Sequence, residues 1–111
     1  MANALIILRA TGPLPVQAQF KAPADGPVVL FVSGSAWTTT TGGCPLGVQV
    51  AIDGASVGVV GTFTNEANSH HTLVPAMFPM PLSYGSHVVS LSATGSTIAD
   101  ANDFFEVVLL Y

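Results

Sequence analysis

DFFEVVLLY, residues 103–111, is the stretch that decides how this chain folds. As a β-strand it is apolar on both faces, because Phe105, Val107 and Leu109 alternate with Phe104, Val108 and Leu110. A half-buried strand alternates apolar with polar residues, so a strand of this kind needs cover on both faces. A chain of 111 residues forms one core, which covers one face. The sequence therefore predicts that another copy of the chain covers the second face.

The composition supports self-association and disfavours two classes of partner. Only 7% of the residues are charged, against about 25% in an average soluble protein. A monomer so poor in charge exposes much apolar surface. The net charge is -4, and Arg9 and Lys21 are the only basic residues apart from the histidines. This charge balance provides no basic patch for phosphates, so we expect no nucleic-acid binding and no attraction to anionic membranes.

Targeting segments and disulfides are not expected. No apolar run approaches the roughly 18 residues of a membrane-spanning helix, so we expect no membrane insertion. The stretch 1–9 has no basic residue before its apolar run and no clear cleavage site, and we interpret it as a first strand rather than a signal peptide. Localisation stays open.

Cys44 is the only cysteine, which excludes an intrachain disulfide, and GGCP (42–45) reads as a loop with a free thiol.

Short apolar or alternating segments separated by turn residues predict about eight strands. The clearest hairpin joins residues 48–53 to residues 57–63 through the turn Asp53-Gly54. The prolines at 75, 79 and 81 make the segment 70–82 an edge or irregular strand rather than a central one. No segment shows helical periodicity. We predict one domain, residues 1–111, with an all-β fold: an antiparallel β-sandwich with jelly-roll topology. The other predicted strands are residues 4–10, 16–20, 28–32, 87–93 and 103–111.

The order of these motifs resembles the jelly roll shared by the complement globular-head domain and the tumour necrosis factor ligands. The resemblance rests on ADGPVVLF (24–31), on residues 48–54, on YGSHVVSL (84–91) and on the closing aromatic strand 103–111. It implies a homotrimer in which the sheet of the first and last strands faces the threefold axis. The chain is shorter than typical members and has Glu106 near the point where they have a glycine. Receptor and calcium sites of the family are therefore not carried over.

Two polar clusters are candidates for metal binding. The adjacent side chains of His70 and His71 point to opposite faces of a strand, so they cannot share one metal ion, although a threefold axis could gather one histidine from each copy. Asp100, Asn102 and Asp103 supply up to three oxygen ligands, whereas calcium takes six to eight. Hydrogen bonding accounts for the two histidines, and a turn accounts for the Asp and Asn residues at 100–103. We therefore predict no metal and no cofactor.

The sequence predicts a binding protein and not an enzyme. It contains no nucleophile elbow, no spacing that indicates a catalytic triad and no phosphate-binding glycine motif. Trp37 either stacks on a sugar ring or fills the core or a seam between copies, and we favour packing. Loops carry function in a jelly roll. The candidate ligand-binding residues are Trp37, Asn65, Asn68, His70, Asp100 and Asp103.

Two functions remain open at this point. The first is a non-enzymatic homotrimeric module for structural assembly or attachment, as in a tail, an appendage or a surface protein. The alternative is a carbohydrate-binding lectin in which the trimer gains avidity from several weak glycan sites.

Overall fold

The computed structural model describes residues 3–111 and consists of strands joined by turns and loops. Met1 and Ala2, part of the stretch that we interpret as the first strand, lie outside the described residues. No helix in the described range is long and apolar enough to cross a membrane. The strands are β1 (Ala4–Thr11), β2 (Val16–Ala22), β3 (Gly26–Ala36), β4 (Cys44–Ile52), β5 (Ala55–Thr64), β6 (His71–Thr72), β7 (Ala76–Leu82), β8 (Gly85–Thr94) and β9 (Phe104–Leu110).

Two antiparallel sheets form the sandwich. One has the order β1-β9-β3-β6, with β7 also pairing along β3, and the other has the order β2-β8-β4-β5. The predicted all-β sandwich of the jelly-roll class is confirmed. The first and last strands are neighbours, as their similar composition predicts, and Ala4 pairs with Leu110 at one end of the ladder.

The core lies between the two sheets and consists of every second side chain along the strands. In β9, Phe105, Val107 and Leu109 are buried against the opposite sheet. On the facing side, Val48 and Val50 of β4 are fully buried. Burial of such side chains is worth about 1.5–3 kcal/mol each before entropy is counted.

The second face of the terminal strands is uncovered in the single chain. Ile6 of β1 remains 48% exposed and Phe104 of β9 remains 59% exposed. The prediction that one core covers one face of β9 is therefore confirmed. Cover of the second face by other copies of the chain stays a prediction.

The turn between β4 and β5 has the predicted chemistry, whereas the prediction that Cys44 lies in a loop was wrong. Asp53 and Gly54 have φ angles of 52° and 82°, values that suit the tight hairpin turn of a right-twisted pair. Cys44 is half-buried and is the first residue of β4, not part of a loop. The reason is that Gly42 and Gly43 complete the turn with positive φ angles, so the ladder to Thr64 begins at once.

Candidate functional site

Loops from both sheets meet at one end of the sandwich, where β3 ends and β9 begins. Trp37, which directly follows β3, forms a two-way backbone bridge with Ile98 in the loop between β8 and β9. The amide of Asn68 donates to the carbonyl of Thr38 at 2.7 Å, which attaches the loop before β6. These main-chain bonds bring four of the six predicted site residues together: Trp37, His70, Asp100 and Asp103.

The buried carboxylate of Asp103 organises this end of the molecule. Its Oδ1 accepts hydrogen bonds from Ser35 Oγ at 2.7 Å and from His70 Nδ1 at 2.8 Å. Its Oδ2 accepts the backbone N–H of Asp100 at 2.9 Å. The side chain of Asp103 is fully buried, and a buried charge is tolerated only when it is paired and hydrogen-bonded in this way. Asp103 is thus the internal support of the site rather than its contact surface.

His70 is oriented by this carboxylate. Because a carboxylate only accepts, Nδ1 carries the hydrogen, and Nε2 lies 3.8 Å from Asp100 Oδ2. The hydrogen bond to Asp103 raises the pKa of His70 above its ordinary value against a smaller desolvation effect, and the charges of Asp103 and Asp100 add to the increase. An imidazole held by a carboxylate presents its other nitrogen in a defined direction. His70 Nε2 and the Asp100 carboxylate therefore form a polar pair on the exposed side of Asp103.

Trp37 forms the apolar side of the same site. Its ring centroid lies 5.7 Å from that of His70, with the planes tilted by 41°. The residue is half-buried, and its Nε1–H is buried without a hydrogen-bond partner among the described residues. Trp37 is thus half-buried and lies beside the ring of His70, and the expectation that it mostly packs stays a prediction.

The two predicted asparagines have different positions. Asn68 is exposed, adopts a positive φ of 65° and contributes its backbone amide to the loop. Asn65 is exposed as well, and its side-chain oxygen lies against Gly43, beside the ring of Phe63. The structure therefore places Asn65 with the β4–β5 edge and not in the cluster around Asp103.

Sequence reasoning missed two contributors to the site. Ser35 reads as an ordinary strand residue, and only the fold brings its hydroxyl to Asp103. Gly12 is buried, and a Cβ at this position would overlap the Asp100 carbonyl, which shows how closely the β1–β2 turn supports the loop. No local signal in the sequence indicates either contact.

The cluster has some of the features of a metal site. His70, Asp100 and Asp103 each offer one ligand atom, and these atoms lie within 4.8 Å of one another. Both oxygens of Asp103 already accept hydrogen bonds, however, and calcium takes six to eight oxygen ligands. We therefore assign these three side chains to hydrogen bonding.

The other two histidines lie elsewhere. His71 Nε2 is 2.8 Å from Thr64 Oγ1, so His70 and His71 have different partners. At the opposite end of the sandwich, His87 Nδ1 lies 2.6 Å from Asp53 Oδ2, and its Nε2 lies 2.8 Å from the Ser83 carbonyl and 3.4 Å from Ser83 Oγ. Because the Asp53 carboxylate and the Ser83 carbonyl both accept, these contacts favour the protonated ring and raise the pKa of His87 above its ordinary value.

The end of the sandwich around Trp37 is an open surface, and residues 3–111 enclose no pocket. A ligand there would be held by a few directed hydrogen bonds and by contact with aromatic rings, and not by enclosure.

No protein-family model matches this chain. No curated protein sequence is significantly similar to it. Solved structures do match. A family 35 carbohydrate-binding module from Clostridium thermocellum is 14% identical, with 96% of this chain and 90% of that chain covered and a TM-score of 0.58. These matches show a shared fold.

Two further structures have similar scores. A family 35 carbohydrate-binding module from an environmental isolate is 14% identical, with 87% of this chain and 69% of that chain covered and a TM-score of 0.52. Dimeric latent PorU from Porphyromonas gingivalis is 8% identical, with 86% of this chain but 10% of that chain covered and a TM-score of 0.55. The jelly-roll class is thus supported, whereas the resemblance to the complement and tumour necrosis factor family is not confirmed.

Proposed function

We propose that this protein binds carbohydrate, without catalysis, at the end of the sandwich formed by Trp37, His70 and Asp100. The observation that carries the proposal is the support of His70 by the buried Asp103 carboxylate, which places the ring nitrogen Nε2 beside the Asp100 carboxylate and the ring beside Trp37. The fold supports it as well, since two of the similar structures are carbohydrate-binding modules. The lectin alternative thereby becomes the preferred function.

The site matches the surface chemistry of a sugar. A pyranose ring has an apolar face of C–H groups, which packs on an aromatic side chain such as Trp37. Its hydroxyls both donate and accept, and neighbouring hydroxyls suit a pair such as His70 Nε2 and Asp100 Oδ2.

Structural assembly or attachment is the second candidate function. The exposed apolar side of the five-stranded sheet favours it, because such a surface is typical of a protein that associates. The homotrimer predicted from the sequence stays a prediction, as does the expectation of a single domain. Several copies would raise the affinity of weak glycan sites, so the two functions are compatible.

The test is a glycan array followed by calorimetric titration of the best sugar. We expect selective binding that a competing free sugar abolishes, and a loss of at least about tenfold in His70→Gln. His87→Gln is the matched control, because it changes the same residue type at the opposite end of the molecule. An array without selective binding, or equal losses in the two variants, would contradict the proposed site. A parallel titration with EDTA shows whether a metal contributes.

A further inference from the structure

The outer side of the five-stranded sheet carries a continuous apolar surface. Ile6 pairs with Val108, Val108 pairs with Phe31, and Phe31 pairs with Met77, so one row of apolar side chains crosses four strands. In the adjacent row, Leu110 of β9 pairs with Val29 of β3. Side chains in such registers point to the same side of the sheet. We call this set the outer apolar face: Ile6, Val29, Phe31, Met77, Val108 and Leu110.

These side chains are accessible in the single chain. Ile6 is 48% and Met77 is 60% exposed, and the central Phe31 and Val108 are half-buried. Backbone hydrogen bonds between the strands fix these rows, so the face is part of the sheet and not of a flexible loop.

The outer surface of the other sheet is mixed. Its outward residues include Gln17 opposite Ser90 and Gln49 opposite Ser92. Exposed apolar side chains, Val59 and Phe63, lie on its edge strand β5. The five-stranded sheet differs in that its apolar row runs without a break across four strands, which favours it as the surface that binds a partner.

The charge distribution favours a second copy of the chain as the partner. The outer side of the five-stranded sheet has two charged residues, Arg9 and Glu106, and they neutralise each other: Arg9 Nη2 lies 2.7 Å and Nε lies 2.8 Å from Glu106 Oε2. The other charged side chains lie on β2 or in the turns and loops at the two ends. A surface that meets its own copy must not carry net charge, because like charges across an interface cost several kcal/mol. This surface meets that condition although the chain as a whole has a net charge of -4.

We propose that the outer apolar face binds the same face of a second copy of this chain, so that two sandwiches pair through their five-stranded sheets. A surface that meets itself is related by a twofold axis, and the assembly closes at two copies. Four strands spaced about 4.8 Å apart over seven residues present about 400 Å². A stable interface takes about 800 Å² from each partner, so the dimer forms in a concentration-dependent equilibrium.

This arrangement differs from the homotrimer that the sequence predicts. A threefold assembly joins two different surfaces of each copy, whereas the twofold pair uses one surface twice. The measured mass therefore separates the two assemblies.

Sedimentation equilibrium from about 1 µM to about 1 mM protein tests the proposal. We expect two chain masses at the upper end of the series. Ile6→Lys and Met77→Glu place a charge on the face and should weaken dimerisation at least about tenfold. Val59→Lys is the matched control, because Val59 is 54% exposed on the opposite sheet, and we expect no change. Thermal melts confirm that each variant is folded.

The ion pair provides a second, electrostatic test. Arg9→Gln leaves one uncompensated Glu106 on each face and should weaken the dimer, whereas the double variant Arg9→Gln/Glu106→Gln restores neutrality and should recover it. Raising the salt from about 10 mM to about 150 mM should strengthen the dimer, because it screens the repulsion between two acidic chains. A monomer at every concentration, a species of three chain masses, or a Val59→Lys variant weakened as much as Ile6→Lys would overturn the proposal.

Discussion

His70 Nδ1 lies 2.8 Å from Oδ1 of Asp103, a fully buried carboxylate 33 residues further along the chain. The same oxygen accepts the hydroxyl of Ser35, and the other oxygen accepts the amide of Asp100. One carboxylate thus connects β3, the loop before β6 and the loop before β9. The orientation of His70 and the shape of the Asp100 turn both depend on it.

Asp103→Asn tests this dependence. The amide keeps the size of the side chain but loses the charge, and it replaces one acceptor oxygen with a donor that faces an N–H or an O–H. We expect a loss of about 2–4 kcal/mol in the free energy of unfolding and a loss of glycan binding, measured by denaturant titration and calorimetry. Asp100→Asn is the control, because Asp100 is only half-buried and should change stability by less than about 1 kcal/mol. Equal stability losses in the two variants would show that Asp103 is not the central support.

Trp37 combines packing and contact in one side chain. Trp37→Ala should cost about 2 kcal/mol of stability, roughly half the cost for a fully buried tryptophan, and should weaken glycan binding. Trp37→Phe keeps a ring and removes an N–H that has no partner in the protein, so its stability should stay within about 1 kcal/mol of the wild type. Thermal melts and calorimetric titration of both variants separate the two roles. If Trp37→Ala lowers stability but not affinity, the tryptophan only packs.

The buried side of β9 provides the test of the core. Leu109 is fully buried between the sheets, so Leu109→Ala should cost about 2–5 kcal/mol in the free energy of unfolding. Leu110 is the next residue on the same strand, faces outward and is half-buried, and Leu110→Ala should cost clearly less at a concentration where the protein is monomeric. Urea titration of both variants measures the difference. Similar losses in the two variants would show that Leu109 and Leu110 do not differ in burial as described.

The pair of His87 and Asp53 makes stability depend on pH. The hydrogen bond to Asp53, followed by the bond to the Ser83 carbonyl, raises the pKa of His87 above its ordinary value of 6.5. The bonds from His87 and from the Val88 amide lower the pKa of Asp53 below its ordinary value of 3.8. The contribution of His87 is complete below pH 6.5 and is lost as the pH rises through its raised pKa, and that of Asp53 is complete above pH 3.8 and is lost as the pH falls through its lowered pKa.

We therefore expect this pair to stabilise the fold most between pH 3.8 and pH 6.5. The effect should be about 0.5–1 kcal/mol, because the Asp53 side chain is 50% exposed to solvent. Thermal melts across pH 3 to about pH 9, with wild type and His87→Gln compared at each pH, measure it. The difference between the two proteins should shrink at both extremes. A difference that is constant with pH would show that the charge of the pair contributes nothing.

Most of the strands can be predicted from the amino-acid sequence, because the signals for them are local. Side chains alternate along a strand whatever surrounds it, so DFFEVVLLY already separates the buried row from the outer row. Turn residues act through their own backbone preferences, and the hairpin at Asp53-Gly54 follows from those two residues. The sandwich follows from the same information, since about eight such strands in a chain of this length have few other ways to share one core.

The candidate site could not be predicted as a whole, because its contacts join distant parts of the chain that come together only in the fold. Ser35 and Asp103 are 68 residues apart and carry no shared pattern, so no spacing in the sequence indicates their hydrogen bond. The position of Asn65 could not be predicted either. It is a polar loop residue of a type that binds ligands, but it lies at the β4–β5 edge. Alternation predicts which side chains share a face, but the register between strands decides which faces line up. The outer apolar face, with Ile6 and Met77 at opposite edges, exists only in the folded sheet.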